Sequence, residues 1–383
     1  MIKVESYRNK LLSQKIQPPC KYFAICGGCS LQHLSKEDYQ LYKQETLKQS
    51  LAKADFQITP QPMQSIGPFS RRRTVFEVQK QQEQILLGFK QFRSNQIADI
   101  NSCLVLLPEL SDLITPLKKT LERFLTNQEK HKVLITRAEN GIDLIIEISN
   151  DNQVMVSDQQ IALLQDFALK NNILRLILVR NHEWHIIHLT EKPYVVFVQT
   201  KVMVDSYSFL QVSKSSDIIL ADLVSKILSK VINQVAQHKL EIADLFCGRG
   251  TLTIPATKFG NVDGFELERL AVQALREACK EQQNIKIFER NLFTTPLQWD
   301  ELNKYDVVLI NPPRSGAKAQ IRLLAKSTVR TIIYLSCNVE SFLLDAKVLH
   351  SHNLYKLEEI TPIDQFHWNH HLEILAVFRK QTE

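Results

Sequence analysis

The chain has 383 residues, 44% of them hydrophobic, which is enough to bury a substantial core in two domains or three. No window reaches the ~18 uninterrupted apolar residues of a membrane span, and "MIKVESYRNKLLSQK" has no apolar stretch suited to a secretory signal, so a cytoplasmic protein with no membrane partner is expected. The formal charge of +6 is uneven: residues 1–100 carry 15 Lys and Arg against 8 Asp and Glu, which suggests an anionic partner such as nucleic acid, although scattered surface lysines give such an excess nearly as often.

In chain order, "CKYFAICGGCSLQHL" supplies Cys20, Cys26 and Cys29 with the spacing C-x5-C-x2-C, and "DINSCLVLLPEL" adds Cys103. Seven cysteines in all, an odd number with no export signal, argue against a disulfide framework and toward metal binding or catalysis for some of them. Four thiolates suit tetrahedral zinc or an iron–sulfur cluster, and spacing alone does not separate the two. Next, "SKEDYQLYKQETLKQSLAKA" reads as a helix with Ser35 as N-cap, Asp38 at the capping-box position and Leu41, Leu47 and Leu51 at helical intervals.

From about residue 60 to 205, short β-branched and aromatic runs alternate with polar turns: "RRRTVFEVQ", "QILLGFKQF", "KVLITRA", "GIDLIIEIS", "ILRLILVRN", "EWHIIHL" and "YVVFVQT". They predict a mostly antiparallel sheet with a few helices. Arg71, Arg72 and Arg73 open the first of these strands, where they would grip phosphates or form a plain solvated edge with equal standing.

Beyond residue 209 the rhythm becomes strand, helix, strand, in "EIADLFCGRG", "NVDGFELERLAVQALREACKEQ", "IKIFER", "YDVVLINPP", "TIIYLSC" and "LEILAVF". This predicts a doubly wound α/β sheet. The expected division is therefore a cysteine-cluster and β-rich region over 1–208 and a catalytic domain over 209–383.

"DLFCGRGTLTIPAT" runs from strand through a glycine turn into a helix. Gly248 and Gly250 let the backbone bend and approach a ligand, and Glu266, at the end of the next strand, stands where a carboxylate accepts the hydroxyls of a ribose. Thr253 stands where a dinucleotide fingerprint has its third glycine, which favours S-adenosylmethionine over NAD. In "LINPPRSG", Asn311 precedes two prolines that hold a stiff loop over the carboxyl edge of the sheet. Cys337 in "YLSCN" follows an apolar run, and taken alone it reads more readily as packing than as a nucleophile. Cys247 and Cys279 read as packing residues.

Taken in order, "SFLQVS", "DLFCGRG", "NPPRSG", "YLSCN" and "HHLEILAVF" resemble the S-adenosylmethionine-dependent RNA uracil-5-methyltransferases. The resemblance implies a Rossmann-like methyltransferase domain, with Cys337 as nucleophile on C6 of uracil and Glu373 as the base for the C5 proton. It also implies Gln211, Phe246, Gly248, Gly250, Glu266, Asn291 and Asn311 around the methyl donor, with Asn311 standing where the family usually has Asp. A branch of the family binds a [4Fe–4S] cluster with this cysteine spacing and a distant fourth cysteine, which implies a cluster on Cys20, Cys26, Cys29 and Cys103 that pins the first helix to the β domain. The RNA implied is 23S ribosomal RNA, with transfer RNA as the alternative, acted on by a monomer. No small β-barrel domain of the kind some members carry is expected before Cys20, so the β domain and cysteine region would recognise the RNA. Phe366 and Trp368 would stack on neighbouring bases, while His367, His370 and His371 would be RNA-facing or structural. A catalytically silent RNA-binding relative and an iron–sulfur redox enzyme are the rival classes.

Overall fold

The computed structural model describes residues 15–82, 84–125, 129–149, 156–234, 239–351 and 354–381. Helix α1 (Lys36–Lys53) starts as its sequence predicts, with Ser35 Oγ accepting from the Asp38 N–H at 3.1 Å. Its buried face is Tyr39, Lys43, Leu47 and Leu51, whereas Leu41 is exposed. A buried lysine takes part in that face because it has a partner, described below. Strand β1 (Gln64–Ser65) follows.

The N-terminal sheet contains β2 (Arg73–Gln81), β3 (Gln84–Lys90), β4 (Ile97–Asp99), β5 (Lys130–Arg137), β6 (Ile142–Ile148), β7 (Ile173–Arg180) and β8 (Glu183–Leu189), in the order β4-β3-β2-β5-β6-β7-β8. Its neighbours are antiparallel except β6 and β7, which are parallel. Helices α2 (Pro108–Asp112), α3 (Ile114–Phe124) and α4 (Asp158–Lys170) precede β5 or lie between β6 and β7, and α4 makes the crossover that a parallel pair requires. Leu117, Leu121, Leu164 and Phe167 of these helices pack on Phe76, Leu87, Ile135 and Leu144 of the sheet. "YVVFVQT" departs from the expectation. Its strand β9 (Tyr194–Phe197) forms a separate ribbon with β10 (Thr200–Met203), whose apolar side packs on the next domain.

The second sheet runs β1-β16-β17-β15-β14-β11-β12-β13. Its strands are β11 (Leu240–Leu245), β12 (Gly260–Glu266), β13 (Ile285–Glu289), β14 (Val307–Ile310), β15 (Thr331–Ser336), β16 (Tyr355–Asp364) and β17 (Glu373–Lys380), and its helices are α5 (Lys214–Ile232), α6 (Thr253–Ala256), α7 (Arg269–Ala278), α8 (Trp299–Leu302), α9 (Lys318–Lys326) and α10 (Val339–His350). The strands from β13 to β15 are parallel, and β17 inserts antiparallel between β15 and β16. Strand order reverses between β11 and β14, so the crevice at their carboxyl ends is where an open α/β sheet binds ligands. Leu47 and Leu51 of α1 belong to the core of this sheet, so a helix on the N-terminal side of the expected 208/209 boundary packs on the C-terminal side of it.

Candidate active site

The carboxyl edge of the second sheet opens into a cavity of about 640 Å³. Gln211, Phe246, Gly248, Glu266, Asn311, Cys337 and Glu373 all line it, so one space brings together residues spread over 163 positions of sequence. The sheet's topology makes this meeting. Because β17 is antiparallel to β15, the start of one lies beside the end of the other, and Ser336 pairs with Ile374. Cys337 and Glu373 are the next residues outward on each strand.

The donor turn is built by backbone conformation. Phe246, Gly248 and Gly250 have φ of 62°, 54° and 92°, the left-handed region. A Cβ on Gly250 would stand 2.6 Å from Leu275 Cδ1, so that glycine serves both conformation and close packing, and unlike Gly248 it does not line the cavity. Glu266 Oε2 accepts from the Gly248 N–H at 2.9 Å, and Oε1 accepts from the N–H groups of Leu267 and Glu268, so the carboxylate anchors the turn as well as facing the cavity. Thr253, in place of a third glycine, donates to Asp244 Oδ2 at 2.6 Å. Burial raises the Asp244 carboxyl to about 7 against that bond, with the Glu266 charge adding to the rise. Asn291 does not line the cavity. Its amide oxygen caps the turn after β13 by accepting from the N–H groups of Phe293 and Thr294, and its neighbours Leu292 and Phe293 face inward instead.

The loop that carries Cys337 is held from both sides. Asn338 is the N-cap of α10, accepting from the Glu340 N–H at 3.0 Å, while its Nδ2 donates to the Arg314 carbonyl at 3.0 Å. Ser336 and Asn338 also exchange bonds across Cys337. The thiol therefore sits just before a helix N-terminus, a place that favours the thiolate. Burial and the Glu373 charge push its pKa up; the Arg314 guanidinium, through its charge and a hydrogen bond, pulls it down. Burial raises Glu373 to about 7, opposed by a hydrogen bond from Gln365 and by Arg314. Arg314 thus acts on both Cys337 and Glu373. The sequence reading passed over it, although its place directly after the prolines of "NPPRSG" was a usable signal.

Of the three consecutive arginines, Arg71 and Arg73 line the cavity. Arg72 instead forms a buried ion pair with Asp217 at 2.6 Å and donates to the Gln211 carbonyl at 3.0 Å, so it fixes a cavity residue and grips no phosphate. Arg249, 3% exposed, joins the donor turn to Asp205 and the Met203 carbonyl.

The loop between β16 and β17 is tied down by the N-terminal segment. Buried Lys43 pairs with Asp364 and donates to the carbonyls of Phe366 and His371; Tyr39 donates to Asp364 at 2.6 Å. The Ser30 and Leu31 N–H groups donate to the Trp368 carbonyl, and Asn369 donates to the Gly28 carbonyl. Trp368 is partly buried against Leu31, Leu34 and Tyr39, which makes it part of this clamp, whereas Phe366 lines the cavity. His371 is pushed down to about 4 by burial, with His370, Arg314 and Lys43 adding, and burial lowers His367 and His370 too.

Cys20, Cys26, Cys29 and Cys103 lie in one region. Burial pushes Cys29 up to about 12, with Cys103, Cys26 and Cys20 adding to the rise. Among the described residues, however, no three His, Cys, Asp or Glu side chains stand close enough to hold a metal ion. The expected ligand set is thus brought into one region without ligand spacing. Cys247 and Cys279 pack in an apolar cluster.

Comparison with known proteins gives this geometry a lineage. The sequence profile of the tRNA (uracil-5-)-methyltransferases matches residues 39–381. The chain belongs to that family. It is an RNA (uracil-5-)-methyltransferase with S-adenosylmethionine as methyl donor. An RNA methyltransferase of Brucella suis, described as uncharacterized, is 33% identical over 96% of this chain and 85% of its own. A Shewanella sediminis protein named 23S rRNA (uracil(1939)-C(5))-methyltransferase RlmD is 29% identical over 99% of this chain and 84% of its own. The methyltransferase also shares its fold with the Pyrococcus abyssi tRNA (uracil-54, C5)-methyltransferase crystallised with S-adenosyl-L-homocysteine, at a TM-score of 0.67 and 20% identity over 92% of this chain and 86% of that one. No helix among the described residues is long and apolar enough to cross a membrane.

Proposed function

We propose that this methyltransferase modifies C5 of a uridine in 23S ribosomal RNA through a covalent adduct between Cys337 and C6. The observation that carries the reading is the joint lining of one cavity by Cys337, Glu373 and the donor turn, with Arg314 acting on both reacting groups.

The C5 carbon of uracil is a weak nucleophile. As Cys337 Sγ bonds to C6, the C5=C6 pair moves toward O4 and makes C5 an enolate carbon. The enolate attacks the methyl group, and the sulfonium sulfur departs with its bonding pair as S-adenosylhomocysteine. Glu373 then takes the C5 proton; C5=C6 reforms and the C6–S bond breaks, returning the thiolate. Phe366 and Phe293 in the cavity wall offer apolar faces for a uracil taken out of its stack. Asn311 offers an amide where a carboxylate is usual, a hydrogen-bonding group without charge.

Cys20, Cys26, Cys29 and Cys103 carry a [4Fe–4S] cluster in this reading. An all-sulfur donor set suits it, and the Arg71 guanidinium lies close enough to Cys103 and Cys29 for their charges to act on it, as an anionic centre requires. Bound, the cluster supplies a cross-link between the N-terminal loop and the β domain. The protein is read as a cytoplasmic monomer. Transfer RNA remains the alternative substrate, favoured by the named activity of the Pyrococcus neighbour.

Mass mapping of 5-methyluridine in ribosomal and transfer RNA, from cells with and without the gene, tests activity and substrate together. Loss of one 23S site is expected. Loss from transfer RNA alone would overturn the substrate, and no loss in either would leave an RNA-binding protein without catalysis.

A further inference from the structure

We propose that Gln365 is the positioning residue of Glu373, holding its Oε2 so that Oε1 is the atom that receives the substrate's C5 proton. The proposal rests on the reading of Glu373 as proton acceptor.

Gln365 follows the last residue of β16, one strand away from the residue it serves. Its Nε2 donates to Glu373 Oε2 at 2.7 Å and to Gln211 Oε1 at 3.3 Å. An amide nitrogen between two acceptors has its orientation set by them, because turning the amide would face oxygen toward oxygen. The arrangement leaves Gln365 Oε1 buried with no partner, although the side chain is only 7% exposed and lines the cavity. A buried carbonyl is left unsatisfied only where something on the other side of the group outweighs it. Here that is the charged carboxylate, since N–H donation to an ionised acceptor is about twice as strong as between neutral groups.

Glu373 Oε1 accepts from no described side chain, and it is the oxygen left for the reaction. The other groups facing Glu373 are Arg314, from the loop after β14, and Cys337, from the end of β15. Neither hydrogen-bonds the carboxylate, so Gln365 alone among the described residues fixes its rotation. The same amide also touches Gln211, which links the proton acceptor to the wall contributed by residues 209–212.

In the reaction the amide N–H stays on Oε2 throughout. Once Oε1 carries the proton, the carboxyl is neutral and the bond from Gln365 weakens, so the residue opposes protonation and favours return to the ionised form.

The test compares turnover against pH for the full-length protein, Gln365→Leu and Gln365→Glu, with S-adenosylmethionine and uridine-containing substrate RNA. Loss of the donor is expected to move the low-pH limb of turnover about one unit toward alkaline pH, from about 7, which is about fivefold slower at pH 7 with recovery near pH 9. Gln365→Glu, which keeps the shape and adds a like charge, is expected to move it further. At pH 7 both variants accumulate the methylated, denaturation-resistant RNA adduct, because elimination alone is slowed. With 5-fluorouridine RNA, whose adduct forms without removal of a C5 proton, they react at the wild-type rate. An unmoved limb, or a 5-fluorouridine reaction slowed in parallel with turnover, overturns the positioning role. Normal turnover by Glu373→Gln would refute the proton-acceptor reading and this proposal with it, whereas normal Gln365→Leu beside inactive Glu373→Gln refutes the positioning role only.

Discussion

Cys337 works under opposing influences, and their balance gives its behaviour with pH. Burial and the neighbouring Glu373 charge raise its pKa, while Arg314 and the α10 N-terminus favour the thiolate. Removing Arg314 is therefore expected to slow adduct formation at pH 7 by at least tenfold, with partial recovery at higher pH, as followed by gel-resolved adduct with 5-fluorouridine RNA. Cys337→Ala is expected to form no adduct at any pH. The same site has a stability consequence. Glu373 titrates at about 7 when folded against an ordinary 4.5, so folding favours its protonated form. Its contribution is full below about 4.5 and is lost as pH rises through 7, a difference of roughly 3 kcal/mol at most. Glu373→Gln, neutral and isosteric, is expected to stabilise the protein at pH 8 by about 2–3 kcal/mol and very little at pH 5, measured by urea unfolding at both values. An equal effect at both pH values would mean that the carboxyl does not titrate between them.

Helix α1 shows what single elements contribute. Lys43 and Asp364 are both buried, and their pairing replaces the water each has lost. Lys43→Met leaves Asp364 to Tyr39 alone and is expected to cost about 3–5 kcal/mol, whereas adding Asp364→Leu to it recovers most of the loss; urea unfolding of the single and double variants decides the point. Such pairing is invisible in sequence, where Lys43 reads as a solvated position on a helix, and so the attachment of α1 to the second sheet was not legible. The strands β14 and β15 were legible, because strands buried on both faces are nearly continuous apolar runs. Strand β16 was not, since "YKLEEITPID" mixes Glu, Thr and Pro and its pairing with β17 shifts register between Leu357 and Glu359. Of the site, Cys337, Glu373 and the donor turn could be read from motifs at loop positions. Gln365 could not, because its role depends on a cross-strand neighbour and leaves no local pattern, and the turn that Asn291 caps was not read from the sequence either.

At the scale of the whole molecule, the N-terminal loop reaches Glu373 through a chain of contacts. Gly28, Ser30 and Leu31 bond the Asn369 and Trp368 end of the loop that leads into Glu373, and Cys26 and Cys29 flank or adjoin these residues in the same segment. On the other side, the Gly27 N–H donates to the Lys90 carbonyl of β3 and the Tyr22 hydroxyl accepts from the Asn101 N–H, near Cys103. A cluster bridging these cysteines would lock the loop to the β domain and, through it, steady the β16–β17 loop. Anaerobically purified protein is accordingly expected to contain about four irons with matching sulfide. Chelation of that iron is expected to lower the melting temperature and to reduce methylation of RNA severalfold, while binding of S-adenosylmethionine stays near its original value, because the donor turn makes its own contacts with Asp244, Glu266 and Arg249. Stoichiometric zinc without sulfide would give the four cysteines a different metal, and an equal loss of donor binding on chelation would show that the N-terminal loop supports the whole cavity and not the proton acceptor's side of it.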